Sequence, residues 1–198
     1  MTAPLELTAA QTALVVIDLQ AGILARPTAP NTSADVLERS ARMCELFRTA
    51  GAQVVLVRVS FAADGSDMLS QPCDEPTPRA ARPEGWDVLS PALGSGPRDI
   101  HITKHQWGAF YGTELDLQLR RRCITTLVMC GISTNIGVES TARDAWERGY
   151  AIVFAEDAMA SFDAAAHAFA VKNIFVRLGR VRSTSEVLAA LRAARENG

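Results

Sequence analysis

Two short β-branched runs set the tightest limit on what this chain can fold into. TALVVI at 12–17 and QVVLVRV at 53–59 are apolar with little alternation, the pattern of strands covered on both faces of a parallel sheet. Between them, Asn31-Thr32-Ser33 offers helix N-caps, Leu37, Ala41, Cys44 and Phe47 recur at helical spacing, and Gly51 closes the segment. Strand, helix and strand make a βαβ unit, whose crossover is right-handed.

The same alternation continues downstream. Ile100 to Thr103 predicts a third strand, Thr125 to Cys130 (TTLVMC) a fourth, Ala151 to Ala155 a fifth, and Arg180 to Arg182 a short sixth. Thr113 caps a helix carrying Leu115 and Leu119, with Arg120, Arg121 and Arg122 favourably placed at its C-terminal end. Further helices are expected over about Ile136 to Arg148, stopped by Gly149, and over Ala164 to Phe175. The last helix opens with a capping box, Ser183 to Glu186, and buries Val187, Leu188 and Leu191. The expected fold is a single α/β domain, residues 1–198, built as a three-layer α/β/α sandwich around a mostly parallel sheet of about six strands. One stretch escapes the pattern. Of the chain's nine prolines, Pro72, Pro76, Pro78, Pro83, Pro91 and Pro97 fall between Ala62 and Pro97. That stretch reads as a lid or rim, packed by Trp86 and Leu89.

Composition excludes several partners. With 20 basic against 22 acidic residues the net charge is −2, so no basic surface is predicted for nucleic acid or an anionic membrane. No apolar run approaches the roughly 20 residues of a membrane span. The opening MTAPLELTAAQ lacks the charged region and apolar core of a signal peptide, so a cytoplasmic protein is expected. In that compartment Cys44, Cys73, Cys123 and Cys130 are read as free thiols. His101, His105 and His167 have no metal-ligand spacing, and neither a metal nor another cofactor is expected.

Ligands of open parallel sheets bind beyond the carboxyl ends of the strands. Three polar features fall there: Asp18, Lys104 and the turn Ser133 to Gly137. Asp18 stands behind an apolar run, so water is partly excluded from it and a lysine is its natural partner. Alternatively, Asp18 merely caps a loop and Lys104 is solvated. The turn enters a helix whose first N–H groups lack intrahelical partners and favour a carboxylate or an oxyanion. Gly137 costs that helix about 1 kcal/mol against alanine, which marks a close approach of backbone or ligand, or else tolerance of a packed neighbour. Trp107, Phe110 and Tyr111 either wall a cyclic substrate's pocket or belong to the core or a subunit contact.

Three segments together resemble the isochorismatase-like superfamily, the cysteine hydrolases: ALVVIDLQ ending in Asp18-Leu19-Gln20, KHQWGAFYGTELDLQLR from Lys104, and CGISTNIGVESTARDAWERGY from Cys130. The resemblance runs from Thr12 to about Leu191. It implies an active site of aspartate, lysine and cysteine, which carries over as Asp18, Lys104 and Gly137, glycine standing where typical members have the nucleophile. It also implies a cis peptide at Ile132–Ser133, oxyanion-binding amides at Ser133 and Gly137, and assembly as a dimer or tetramer. Amidases of this family need the thiolate, and the metal-binding Asp-x-His of nicotinamidases has no counterpart here. Isochorismatases share the glycine and cleave a vinyl ether, releasing pyruvate; where they carry a tyrosine in the turn, this chain has Ser133. The resemblance therefore implies a cysteine-independent hydrolase of a small carboxylated substrate. Two alternatives stand beside it: a ligand-binding protein that has lost the chemistry, and an amidohydrolase with its thiol relocated, for which Cys130 is the nearest cysteine in sequence.

Overall fold

The computed structural model describes residues 4–76 and 82–196; Pro78 lies outside them. β1 (Thr12–Ile17), α1 (Ala21–Leu24), α2 (Ser33–Thr49), β2 (Gln53–Val59), β3 (Ile100–Lys104), α3 (Leu115–Arg121), β4 (Thr126–Ile132), α4 (Glu139–Glu147), β5 (Ala151–Ala160), α5 (Ala164–Phe169), α6 (Val176–Leu178), β6 (Arg180–Arg182) and α7 (Thr184–Glu196) follow one another along the chain. All six strands pair in parallel, in the spatial order β3-β2-β1-β4-β5-β6. Every residue of β1 is buried, as its unbroken apolar run requires at the centre of the sheet.

The side chains of β1 alternate between two cores. Ala13, Val15 and Ile17 face one layer with Leu115, Leu119, Ala142, Ala145 and Phe175, while Leu14 and Val16 face the other with Met43, Phe47, Val187 and Leu191. Helices α3 and α4 therefore cover one face, α2 and α7 the other. Helix α2 opens with a reciprocal capping box between Thr32 and Asp35. Its buried stripe is Val36, Ser40, Met43, Cys44 and Phe47, so the inward face is turned about one residue from the one predicted, and Leu37 and Ala41 stand at its edge. The Ser183–Glu186 capping box forms as predicted, with Ser183 N–H donating to Glu186 Oε2 at 2.8 Å. No helix of the described residues is long and apolar enough to cross a membrane.

Two strands run further than their sequences suggest, and both extensions build the site. β4 continues through Gly131 and Ile132, and β5 continues to Ala160 after an irregularity in its pairing with β4. The charged Glu156-Asp157 pair, which reads as the end of the fifth strand, sits in this irregular part; beyond it Met159 and Ala160 pair with Gly131 and Ile132. The strand order reverses between β1 and β4, the position at which open parallel sheets leave a crevice for ligands.

Candidate active site

Asp18 follows β1 with φ +55°, in the left-handed region that side chains other than those of glycine, asparagine and aspartate seldom enter. Its N–H still donates to Val57 O at 2.9 Å, so the sheet's hydrogen bonding holds the residue while the chain turns away. Gln20 keeps that turn in place. Its side-chain amide pairs with Val59 in both directions, Nε2 donating to Val59 O and Oε1 accepting from Val59 N–H, each at 2.9 Å.

Lys104 ends β3 and reaches past β2, its Nζ donating to Asp18 Oδ2 at 2.8 Å and to Gln106 O at 3.1 Å. The pair is almost completely shielded, with 5% of Asp18 and 1% of Lys104 exposed. Asp18 Oδ1 has no hydrogen-bond partner among the described residues, a cost on the order of 1–3 kcal/mol for a buried polar group. Burial pushes the Asp18 carboxyl from 3.8 up to about 6, against the opposing pull of the Lys104 ammonium and its hydrogen bond. Desolvation thus outweighs the neighbouring charge.

The turn after β4 closes the site. A Cβ on Gly131, whose φ is +118°, would lie 2.1 Å from Ile17 O, so only glycine lets β4 pass this close to the end of β1. The Ile132–Ser133 peptide is cis. A π-helical turn, Thr134–Val138, then leads into α4, so the helical segment begins two residues earlier than the sequence suggests. A Cβ on Gly137 would lie 3.0 Å from Ile17 Cγ2, 3.2 Å from Asp18 Oδ2 and 3.7 Å from Lys104 Nζ. Residue 137 therefore faces the ion pair directly, and any side chain there would enter the space beside it.

Three sets of hydrogen bonds pin this turn, and sequence reasoning named none of them. Thr141 Oγ1 donates to Gly137 O at 2.7 Å and accepts from Ala109 N–H at 3.1 Å, joining the turn to the loop beyond Lys104. Thr134 Oγ1 lies 2.8 Å from His167 Nδ1, both residues buried. Burial holds the His167 pKa below its ordinary value. Ser133 and Ser161 both donate their hydroxyls to Asn135 Oδ1, at 2.9 and 2.6 Å.

The aromatic trio divides. Phe110 is 4% exposed, in the core against Tyr150 and below Arg148, which leaves it no open face for a ligand. Trp107 and Tyr111 are 64% and 76% exposed. In the irregular segment Trp86 stacks on Phe61 with centroids 6.0 Å apart, and its carbonyl accepts from Gly22 N–H, so the segment packs against the loop that carries Gln20. Leu89 pairs with Gln20 through an isolated bridge.

Neither buried thiol is poised for attack. Cys130 faces the α2 layer, where it receives a hydrogen bond from Ser40 at 3.4 Å, and burial pushes its thiol far up. Burial raises Cys44 to about 12. Cys73 and Cys123 are exposed. Among the described residues no group of three or more His, Cys, Asp or Glu could hold a metal ion.

Residues 12–186 match the family profile described as "Isochorismatase domain". A protein from Escherichia coli O157:H7, "Uncharacterized isochorismatase family protein YecD", is 53% identical over 94% of this chain and 100% of its own length. "Ureidoacrylate amidohydrolase RutB" of Methylorubrum extorquens is 34% identical over 95% of this chain and 86% of its own. The structure of an isochorismatase family protein from Burkholderia thailandensis superposes with a TM-score of 0.91 at 43% identity, covering 96% of this chain and all of that one.

Proposed function

The chain belongs to the isochorismatase family of hydrolases, and from that premise we propose that it hydrolyses a small carboxylated substrate of the isochorismate type without a cysteine nucleophile. The observation that carries this reading is the glycine at 137, directly beside the Asp18–Lys104 pair. In the space where a side chain would meet Asp18 Oδ2 at 3.2 Å, this protein has none. Gly137 stands where the cysteine hydrolases have their thiol, and the buried Cys130 and Cys44, high in pKa, do not replace it.

What remains is a carboxyl group poised as an acid. With its pKa near 6, about a tenth of Asp18 is protonated at pH 7, and an anionic substrate beside it raises that fraction. In vinyl ether hydrolysis the Asp18 proton goes to the terminal methylene carbon of the enol-pyruvyl group, and the developing cation is shared with the ether oxygen. Water adds at the carbon bearing that oxygen and returns a proton to the Asp18 carboxylate. The resulting hemiketal then breaks its bond to the ring oxygen, which takes a proton from Asp18 while the hemiketal hydroxyl gives one up, so that pyruvate and the ring alcohol leave. The Lys104 ammonium, 2.8 Å from Oδ2, stabilises the Asp18 carboxylate as its proton leaves. The attacking water comes from the crevice between β1 and β4, and the amides of Ser133 and Gly137 are the donors assigned to the substrate's oxygens. The same reading has the protein act as a cytoplasmic homo-oligomer, without a cofactor, with the exposed Trp107 and Tyr111 available to the pocket wall or to a second subunit.

Pyruvate release from isochorismate by the protein and by Asp18→Asn tests this directly. Release that is lost in the variant is the expected result. No release from either protein removes isochorismate as the substrate. Tight binding of a ring carboxylate without turnover would identify a binding protein instead.

A further inference from the structure

We propose that Gln106 is a positioning residue for the buried ion pair: it holds the Lys104 ammonium on its own backbone carbonyl and so limits the hold of that cation on Asp18. The inference rests on the reading of Asp18 as the acid, and it names the residue that places the lysine beside it.

The argument starts from the donors of an ammonium group. Lys104 Nζ has N–H donors and no acceptor, and at 1% exposure it depends on protein oxygens to receive them. Two are at hand, Asp18 Oδ2 at 2.8 Å and Gln106 O at 3.1 Å. The carboxylate in turn depends on the lysine, because Asp18 Oδ1 has no hydrogen-bond partner among the described residues. The two acceptors differ in what a proton does to them. When Asp18 takes one up, its charge is gone and a buried ammonium is left without a counter-ion. The Gln106 carbonyl keeps its lone pairs in either state, so it matters most to the cation when Asp18 is in the acid form. Drawing the ammonium towards a neutral oxygen therefore favours protonated Asp18, and losing that oxygen favours the carboxylate.

A carbonyl two residues beyond the end of β3 has no strand ladder to hold it. Here the same residue supplies the restraint. Gln106 Nε2 donates to Gly108 O at 3.0 Å and to Tyr111 O at 2.7 Å, one acceptor for each N–H of the amide. Both neighbours are carbonyl oxygens, so the amide has to present its nitrogen to them. The side chain thereby closes residues 106–111 into a loop around itself. The flanks of that loop are fixed as well. Before it, His105 Nδ1 lies 2.6 Å from Ser60 O, and Ser60 N–H donates to Lys104 O at 3.0 Å. Within it, Ala109 N–H donates to Thr141 Oγ1, which donates in turn to Gly137 O. Gln106 itself is half-buried, and its neighbours Trp107 and Tyr111 are exposed, so the amide does what packing does elsewhere in the core.

The test is the titration of the Asp18 carboxyl group itself, followed by carbon NMR on the full chain and identified by its absence in Asp18→Asn. Gln106→Met keeps the length of the side chain and has no donor for Gly108 O or Tyr111 O. The Asp18 midpoint is expected to fall by about one pH unit in this variant, the worth of one hydrogen bond to a charged group. Gln106→Asn keeps the amide on a shorter stem and should show about half that fall; it carries the test alone if Gln106→Met loses its thermal transition. Thr113→Val controls for simple loosening. Thr113 Oγ1 donates to Ala109 O in the same loop at 2.6 Å, and none of its hydrogen bonds reaches Gln106 or Lys104, so its loss should leave the midpoint in place. A midpoint unchanged or raised in the Gln106 variants, or an equal fall in Thr113→Val, overturns the proposal. No substrate enters the measurement, so absence of pyruvate release would remove the assigned reaction and leave this result standing.

Discussion

Two buried carboxylates in this molecule each face a cation at 2.8 Å, and they are built to opposite ends. Asp99 lies just before β3 and accepts from Arg48 Nε and Nη2 and from Gly96 N–H. Both of its oxygens are occupied, and Arg48 adds bonds to Leu93 O and Gly94 O. Asp18 accepts from Lys104 through Oδ2 alone, and Oδ1 is left without a partner. Saturation makes the first pair a clasp holding the long loop to α2. Incomplete pairing, with burial raising the pKa, makes the second a group able to hold a proton and give it up.

The comparison breaks most sharply on activity. Asp18→Asn keeps the shape and removes the acid, so pyruvate release should fall by about a thousandfold or more while the thermal transition changes little. A variant that retains more than a tenth of wild-type release would remove Asp18 from the acid role. The clasp should answer in the opposite sense. Arg48→Ala leaves Asp99 buried without its cation and should lower unfolding free energy by about 3 kcal/mol, read by urea denaturation, with kcat unaltered at temperatures where the variant is folded.

The pH dependence sharpens the same contrast. Asp18 has a folded-state pKa of about 6 against an ordinary 3.8, so its acid form predominates below about pH 6 and is lost as pH rises through that value. If the acid form does the work, kcat/KM should be level below about pH 6 and fall tenfold per pH unit above it. The sign for stability follows too: protonating Asp18 relieves the burial of its charge, so its contribution favours the fold increasingly as pH falls from about 6 towards 3.8. Asp99→Asn should leave the activity profile in place. A profile that instead rises through pH 6 would assign Asp18 the role of a base.

How much of this was legible in the sequence differs between the fold and the site. The strands announced themselves because both faces of a central parallel sheet demand apolar residues, and TALVVI and QVVLVRV have almost nothing else. A capping signal at each start, and Gly51 at the end of α2, marked α2 and α7 for equally local reasons. The end of β5 was hidden because Glu156 and Asp157 break the apolar run without ending the strand. At the site, Asp18, Lys104 and Gly137 showed through their positions at strand ends, and the structure brings the three together. Ser161, Thr141 and His167 did not, since their roles depend on which segments the sheet places side by side. Asn135 carried a faint signal, a polar residue inside the glycine turn, but nothing in the chain order reveals that two serines occupy its oxygen.

Gly137→Ala gives the smallest stability effect expected and the finest separation of the two roles a glycine can have there. In a helical turn, alanine is favoured over glycine by about 1 kcal/mol. Against that stands crowding: the new methyl meets Ile17 Cγ2 at 3.0 Å and Asp18 Oδ2 at 3.2 Å, so its neighbours must give by a few tenths of an ångström. The two effects oppose each other, and the net change in unfolding free energy should stay within about 1 kcal/mol. Activity has no such compensation, because the methyl presses on the acid itself, 3.2 Å from Asp18 Oδ2. Pyruvate release should therefore drop by about tenfold or more at nearly wild-type stability. Equal losses in both would mean that the glycine serves packing. Full activity with a methyl in place would mean that the acid works unhindered beside a side chain at 137.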